Sequence, residues 1–199
     1  MKILIVGASG NIGRFVTEEL SKKYEVITAS RNSGDIKVDL TSLSSIKDMY
    51  KKLGKLDAVI CTAGETYFGD FEQTTEEQFY IGIKSKMMGQ INLVLTGKDF
   101  INDNGSFTLT TGILAYSPVP GSLNSTTVNN AIHGFVLSAS KELKRSIRIN
   151  VVCPGLVEVS VKELGQFFPG FTPIPMWRVV EGYLKSVEGT GSGEIIKIF

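Results

Sequence analysis

Near its start the chain runs from an apolar segment, Ile3-Leu4-Ile5-Val6, into Gly7-Ala8-Ser9-Gly10-Asn11-Ile12-Gly13, and a helical pattern opens directly behind it. No other feature restricts the fold as much. The apolar run reads as a buried strand, and the glycines permit a tight turn into the helix. Gly7 and Gly10 allow close approach to the main chain, while Gly13 lets the helix pack on the strand. Main-chain N–H groups at a helix N-terminus favour an anion. The segment therefore predicts a strand–turn–helix unit that receives a pyrophosphate around Gly7, Ser9, Gly10, Asn11, Ile12 and Gly13.

Beyond this unit, strand patterns at 2–6, 25–29, 36–38, 57–62, 106–110, 147–153 and 194–198 alternate with helical patterns at 11–22, 42–53, 76–101, 126–144 and 176–187. Such alternation predicts a parallel sheet with right-handed crossovers. The expected fold is a single α/β domain over 1–199, a doubly wound parallel seven-stranded sheet in the order 3-2-1-4-5-6-7. No repeat or linker interrupts it. The Pro/Gly-rich piece 168–175 reads as a loop within the domain.

Composition removes several function classes. A net charge of +1, with basic and acidic residues interspersed, gives no pull on nucleic acid or anionic membrane. Cys61 and Cys153 both sit in apolar runs and read as buried thiols, and His133 is the only histidine. No metal site is expected from such a set. The first residues enter a strand directly, without a signal-peptide pattern, and no apolar run has membrane length, so a cytoplasmic location is expected.

The end of the second strand bears on the nucleotide. A carboxylate there normally binds the ribose 2′-OH of NAD. This chain has Ser30-Arg31-Asn32, a fixed guanidinium suited to a 2′-phosphate with a hydroxyl beside it, and Arg14 close by. NADP(H) is thus preferred and NAD(H) is possible. A solvated surface arginine is the competing account of Arg31.

Further segments resemble the short-chain dehydrogenase/reductase superfamily over nearly the whole chain. Asp39-Leu40 stands where that family contacts adenine, and Cys61-Thr62-Ala63-Gly64 resembles its Asn-Asn-Ala-Gly. The stretch 105–111 resembles its fifth strand, and 149–155 resembles its sixth, with the Pro154-Gly155 turn under the nicotinamide and Val157 just beyond. The resemblance implies a Rossmann fold, a nicotinamide cofactor and a homodimer or homotetramer. The oligomer would pair the helices at 76–101 and 126–144, where Met87, Met88, Ile91, Ile132 and Phe135 are apolar; burial within the monomer explains the same residues.

The family's catalytic set is Asn, Ser, Tyr and Lys, but no tyrosine stands between Tyr116 and Tyr183. Alignment on Gly134-Phe135 and Glu142-Leu143 puts Ser125 at the tyrosine position and Asn129 at the lysine position. Thr111 takes the serine position, Lys86 the asparagine position, and Val159 replaces a threonine, with Ser160 next to it. Tyr80/Lys84 and Ser138 to Lys141 imitate family spacings in the wrong places.

An aliphatic hydroxyl ionises far above a phenol and is shorter, so Ser125 cannot replace the tyrosine in kind. Losing a positioned acid costs about 10²- to 10⁴-fold in rate. The exchange of Asn and Lys between two helices offers Lys86 as a cation from the opposite side; an ordinary surface or interface lysine is the equal alternative. The implied roles are Thr111 orienting the substrate oxygen, Lys86 supplying charge, Ser125 bonding ribose or substrate, and Asn129 bonding the nicotinamide ribose. The segment at about 156–175 would be a short lid, and Phe167, Phe168, Phe171 and Trp177 either close an apolar pocket or pack that lid down. Two functions follow: an oxidoreductase acting on a small carbonyl or alcohol, or an inactive NADP(H)-binding sensor or assembly protein.

Overall fold

The structure is a computed structural model that describes residues 1–199. Seven strands form one sheet: β1 (Lys2–Val6), β2 (Glu25–Ser30), β3 (Ile36–Lys37), β4 (Leu56–Cys61), β5 (Ile101–Thr110), β6 (Arg148–Pro154) and β7 (Ile195–Ile198). Every pairing is parallel and the order is β3-β2-β1-β4-β5-β6-β7, as expected for the doubly wound fold. Strand side chains alternate between faces. Leu4 and Val6 accordingly enter one core, and Ile3 and Ile5 the other.

Helices cover both faces. On the Ile3/Ile5 side, α1 (Gly13–Leu20) contributes Val16 and Leu20 to the core. The opposite core takes Ile46 and Met49 from α2 (Leu43–Leu53). The predicted helix at 76–101 is broken into α3 (Glu76–Gly82), a π-helical turn Ile83–Met87 and α4 (Met88–Gly97). Leu93 and Val94 of α4 pack beside α2. α5 (Leu123–Glu142) adds Ile132 and Val136, so Ile132 belongs to the monomer core and not to a seam between copies. After a short α6 (Val161–Leu164), α7 (Met176–Glu188) returns to the first face with Val179 and Tyr183. No helix is long and apolar enough to cross a membrane.

Other boundaries moved for polar reasons. β5 starts at Ile101, paired with Leu56, and bulges before Ser106. Asn104 lies at φ 62, and Arg145 Nη1 donates to Ile101 O at 2.9 Å and Asp103 Oδ1 at 3.0 Å. The polar run 102–105 conceals that strand end. α5 begins before residue 126 because Asn124 is buried but satisfied: Nδ2 donates to Phe79 O at 2.7 Å, and Oδ1 accepts from Tyr67 N at 2.9 Å. A helix and a loop are thereby tied together through a polar core residue that hydrophobic periodicity does not register.

Candidate functional site

Two cavities meet the C-terminal edge of the sheet on either side of the glycine loop. One, of about 290 Å³, is lined by Gly7, Ser9, Ser30, Arg31, Asn32, Leu40, Ala63 and Gly64, with Glu65 and Ser85. The other, of about 490 Å³, takes in Ile12, Lys86, Thr111, Ser125, Asn129, Pro154, Gly155 and Val157. Residues placed together by the sequence reading thus divide between two neighbouring pockets, with the glycine loop between them.

The loop is shaped for close approach. Gly7 lies at φ 90, where a Cβ would stand 2.8 Å from Ala63 N and Thr62 Oγ1. A Cβ on Gly13 would collide with Gly7 O and Thr62 Oγ1. Gly10 N closes the turn on Gly7 O at 3.0 Å, while the N–H groups of Ser9, Asn11, Ile12 and Gly13 donate to no protein acceptor. α1 also opens without a side-chain cap. Unpaired donors at a helix mouth, with no Cβ in the way, fit the diphosphate of a dinucleotide.

Several expected contacts are turned elsewhere. Thr62 Oγ1 donates to Val6 O and Gly7 O at 3.2 and 3.0 Å, so it braces the loop. Asp39 accepts from Thr41 N and Thr41 Oγ1 at 2.9 and 2.8 Å; those bonds hold its carboxyl below the usual range, and it does not line the cavity. Ser30 Oγ donates to Ser33 O at 2.6 Å. Arg31 Nη1 pairs with Glu65 Oε1 at 3.1 Å across the cavity mouth, with both side chains more than half exposed. Asn11 Nδ2 donates to Ser160 Oγ at 3.3 Å, which links the loop to the segment after β6.

In the larger cavity Lys86 is the only charged lining residue, and no acid faces it. It comes from the π-helical turn, a backbone irregularity common at functional sites. Lys86 is half-buried overall, but its ammonium is desolvated and makes no hydrogen bond or ion pair with protein. Desolvation brings it down to about 8, against weaker opposite pulls from Cys153 and Cys61. Ser125 and Asn129 lie one turn apart on α5. Ser125 Oγ donates to Thr66 Oγ1 at 2.7 Å, whereas buried Asn129 Oδ1 has no partner. An orphaned acceptor facing a ligand pocket fits a hydroxyl-bearing ligand such as a ribose.

Sequence reading missed the group behind Thr111. His133 Nε2 lies 2.8 Å from Thr111 Oγ1, and the ring is 5% exposed. Burial, then the Lys197 and Lys86 charges, push the imidazole down to about 4. Gln90 was also unforeseen; its amide takes Thr110 N at 2.9 Å and gives to Thr110 O at 2.9 Å, fixing the end of β5 beside the pocket. The thiols of Cys61 and Cys153 are buried and free, and burial raises both.

The wall opposite is apolar. Phe68, Phe167 and Phe168 line the cavity, with the Phe68 and Phe167 rings 4.8 Å apart. Phe171 instead packs edge-on against Phe168, and Trp177 is exposed on α7. The segment closes on itself at Val157↔Ile174, where Ile174 N donates to Leu156 O at 2.7 Å and Glu158 N to Ile174 O at 3.0 Å. The imitations lie outside: Tyr80 and Lys84 make an exposed cation–π contact, and Ser138 and Lys141 are exposed near the end of α5.

Known proteins share this fold. The chain is similar to the Listeria innocua protein lin1944, 46% identical with a TM-score of 0.99 over 100% of both chains. It superposes on a small-chain dehydrogenase in complex with NADPH at 22% identity and a TM-score of 0.87, over 100% of this chain and 96% of the other. It is similar to the 3-oxoacyl-[acyl-carrier-protein] reductase FabG of Rickettsia bellii, 28% identical over 173 residues, 78% of this chain and 72% of that protein. The uncharacterized oxidoreductase YhxD of Bacillus subtilis is 26% identical over 155 residues, 73% of this chain, and the match spans about half (52%) of its length. The family described as Enoyl-(Acyl carrier protein) reductase matches residues 8–172. Since that match runs from the glycine loop to beyond β6, over most of its length, the chain belongs to this family, within the short-chain dehydrogenase/reductase superfamily.

Proposed function

We propose that the protein binds NADP(H) and transfers hydride between the nicotinamide and a small carbonyl or alcohol, with Lys86 acting where relatives use a phenol. One observation carries this reading: an unpaired, desolvated ammonium shares a pocket with Thr111, next to a loop built for a diphosphate. When bound, the cofactor would supply hydride at nicotinamide C4. The free N–H groups from Ser9 to Gly13 would hold its diphosphate, and Arg31 its 2′-phosphate. The complex of an NADPH-bound structural relative is consistent with that choice.

Thr111 and Lys86 would both meet the substrate oxygen. In reduction, Lys86 gives a proton to that oxygen as hydride reaches the carbon, and the resulting amine regains a proton from solvent. An ammonium with a pKa near the working pH suits such a transfer. Asn129 Oδ1 would accept from a ribose hydroxyl. Ser125, already bonded to Thr66, holds the wall rather than acting as the acid. Phe68, Phe167 and Phe168 exclude water and favour an apolar substrate body. Residues 156–175 would serve as the lid, and a homo-oligomer would form through α4 and α5.

NADPH oxidation against a panel of aldehydes and ketones, run beside NADPH-induced melting shifts, tests the proposal. Turnover lost in Lys86→Ala, with the shift kept, supports it. A shift without turnover on any carbonyl would favour a cofactor-responsive sensor, a reading that the absence of any tyrosine from the pocket lining supports.

A further inference from the structure

Lys86 stands apart from every other lysine of the chain. The others are exposed except for Lys2, whose Nζ donates to Leu53 O at 2.9 Å. Lys86 is half-buried, yet its Nζ meets neither a protein acceptor nor a carboxylate. Nor is the nitrogen sealed off: whereas the unpartnered Asn129 Oδ1 is fully enclosed, Lys86 Nζ keeps accessible surface in the larger cavity.

A lysine nitrogen attacks carbon only as the free amine, and in water it is ordinarily protonated. Burial without a counter-charge favours the neutral form. With Lys86 brought down to about 8, roughly one chain in ten carries the free lone pair at pH 7, against about one in three thousand for a lysine at 10.5. The cavity supplies the remaining requirements. At about 490 Å³ it has room for a small aldehyde, and Phe68, Leu156, Leu164, Phe167 and Phe168 offer its body an apolar wall. Walls of this kind limit water and so oppose hydrolysis of a C=N bond. The nearby thiols of Cys61 and Cys153 are buried and raised, which leaves Lys86 as the nucleophile of the site.

We propose that Lys86 is a nucleophilic lysine that captures small apolar aldehydes as an imine, an activity separate from hydride transfer. The amine lone pair bonds to the carbonyl carbon, and the π pair of the C=O bond moves to oxygen. The two amine protons then leave with that oxygen as water while nitrogen and carbon form the double bond. No cofactor, oxidant or reductant enters the step, so the inference does not rest on the oxidoreductase reading. The ammonium form is the acid of hydride transfer, and the free amine of the same residue acts here.

The test equilibrates the full chain with benzaldehyde, with no coenzyme added, and quenches it with sodium borohydride before peptide mapping by mass spectrometry. Borohydride reduces the imine to a stable N-benzyl-lysine. At pH 7 Lys86 is expected to carry the benzyl group at least about tenfold more than Lys84, an exposed lysine on the same segment. Its labelling should rise with pH about a midpoint near 8, and Lys86→Met should show only the surface background. Labelling of Lys86 no greater than that of Lys84, or none, overturns the proposal. Both are read on the wild-type protein, whether or not the variant folds. NADPH binding and carbonyl turnover are measured apart: capture without either leaves the inference standing, and turnover without capture removes it alone.

Discussion

Gly64 lies with its backbone against the side chain of Lys86: a Cβ at position 64 would stand 2.7 Å from Lys86 Cγ and 2.8 Å from its Cα. Gly64 also sits at φ 140, in the region that L side chains rarely adopt. The Ala-Gly pair after β4 therefore does two jobs, opening one cavity and seating the cation of the other. Gly64→Ala should destabilise the protein by about 1–3 kcal/mol in urea unfolding. It should also abolish carbonyl turnover by displacing Lys86. An unchanged unfolding midpoint would contradict the packing described.

Lys86 carries a pH signature. Its ammonium is depressed to about 8 in the fold, from 10.5 when free, so below pH 8 the buried charge weakens the native state. The unfolded chain binds the proton more tightly, and stability must rise with pH between those two values. Lys86→Met should therefore stabilise the protein by about 1–3 kcal/mol at pH 7 and by little at pH 10.5. Denaturant melts of both proteins at the two pH values check the sign. A destabilised variant at pH 7 would mean that the ammonium has a partner.

The Arg31–Glu65 pair places a competitor beside the group proposed to hold a 2′-phosphate. Arg31→Ala should weaken NADPH binding by about tenfold and leave NADH binding nearly unchanged. Glu65→Gln should strengthen NADPH binding by about two- to threefold, since an exposed pair of this kind is worth little. Calorimetric titrations of each variant with both coenzymes measure the difference. Equal losses for NADPH and NADH in Arg31→Ala would assign the arginine to something other than the 2′-phosphate.

Met87, Met88, Ile91 and Phe135 remain half-buried, while Leu95 and Leu137 are each 51% exposed. A seam between copies along α4 and α5 would cover them. Light scattering should give a dimer or tetramer, and the double variant Leu95→Glu, Leu137→Glu, at the two half-exposed positions, should be a folded monomer. A monomeric wild type would remove the proposed assembly.

What could be read from the sequence follows the range of the interactions. The glycine loop is local: strand, turn and helix are contiguous, and each glycine answers a steric demand within the unit or beside Thr62. The parallel sheet followed from the alternation of patterns, and its strand order from the doubly wound fold that the glycine loop and the family resemblance imply. Thr111 and His133 were a different case, 22 residues apart on separate elements, with His133 on a helix whose apolar face gives no reason to single it out. The Arg31–Glu65 and Ser125–Thr66 contacts likewise depend on loops meeting across the sheet edge. A π-helical turn has no compositional mark, so the break in the predicted helix at 76–101, and the aim of Lys86, emerged only from the fold.

Calorimetric titration of the intact protein with NADPH tests the central claim most directly. The account predicts saturable one-to-one binding, with a melting shift of about 5–10 °C at a hundredfold excess over Kd, and loss of both in Gly13→Ala, whose Cβ would strike Gly7 O. No heat and no melting shift with NADPH or NADH would contradict it.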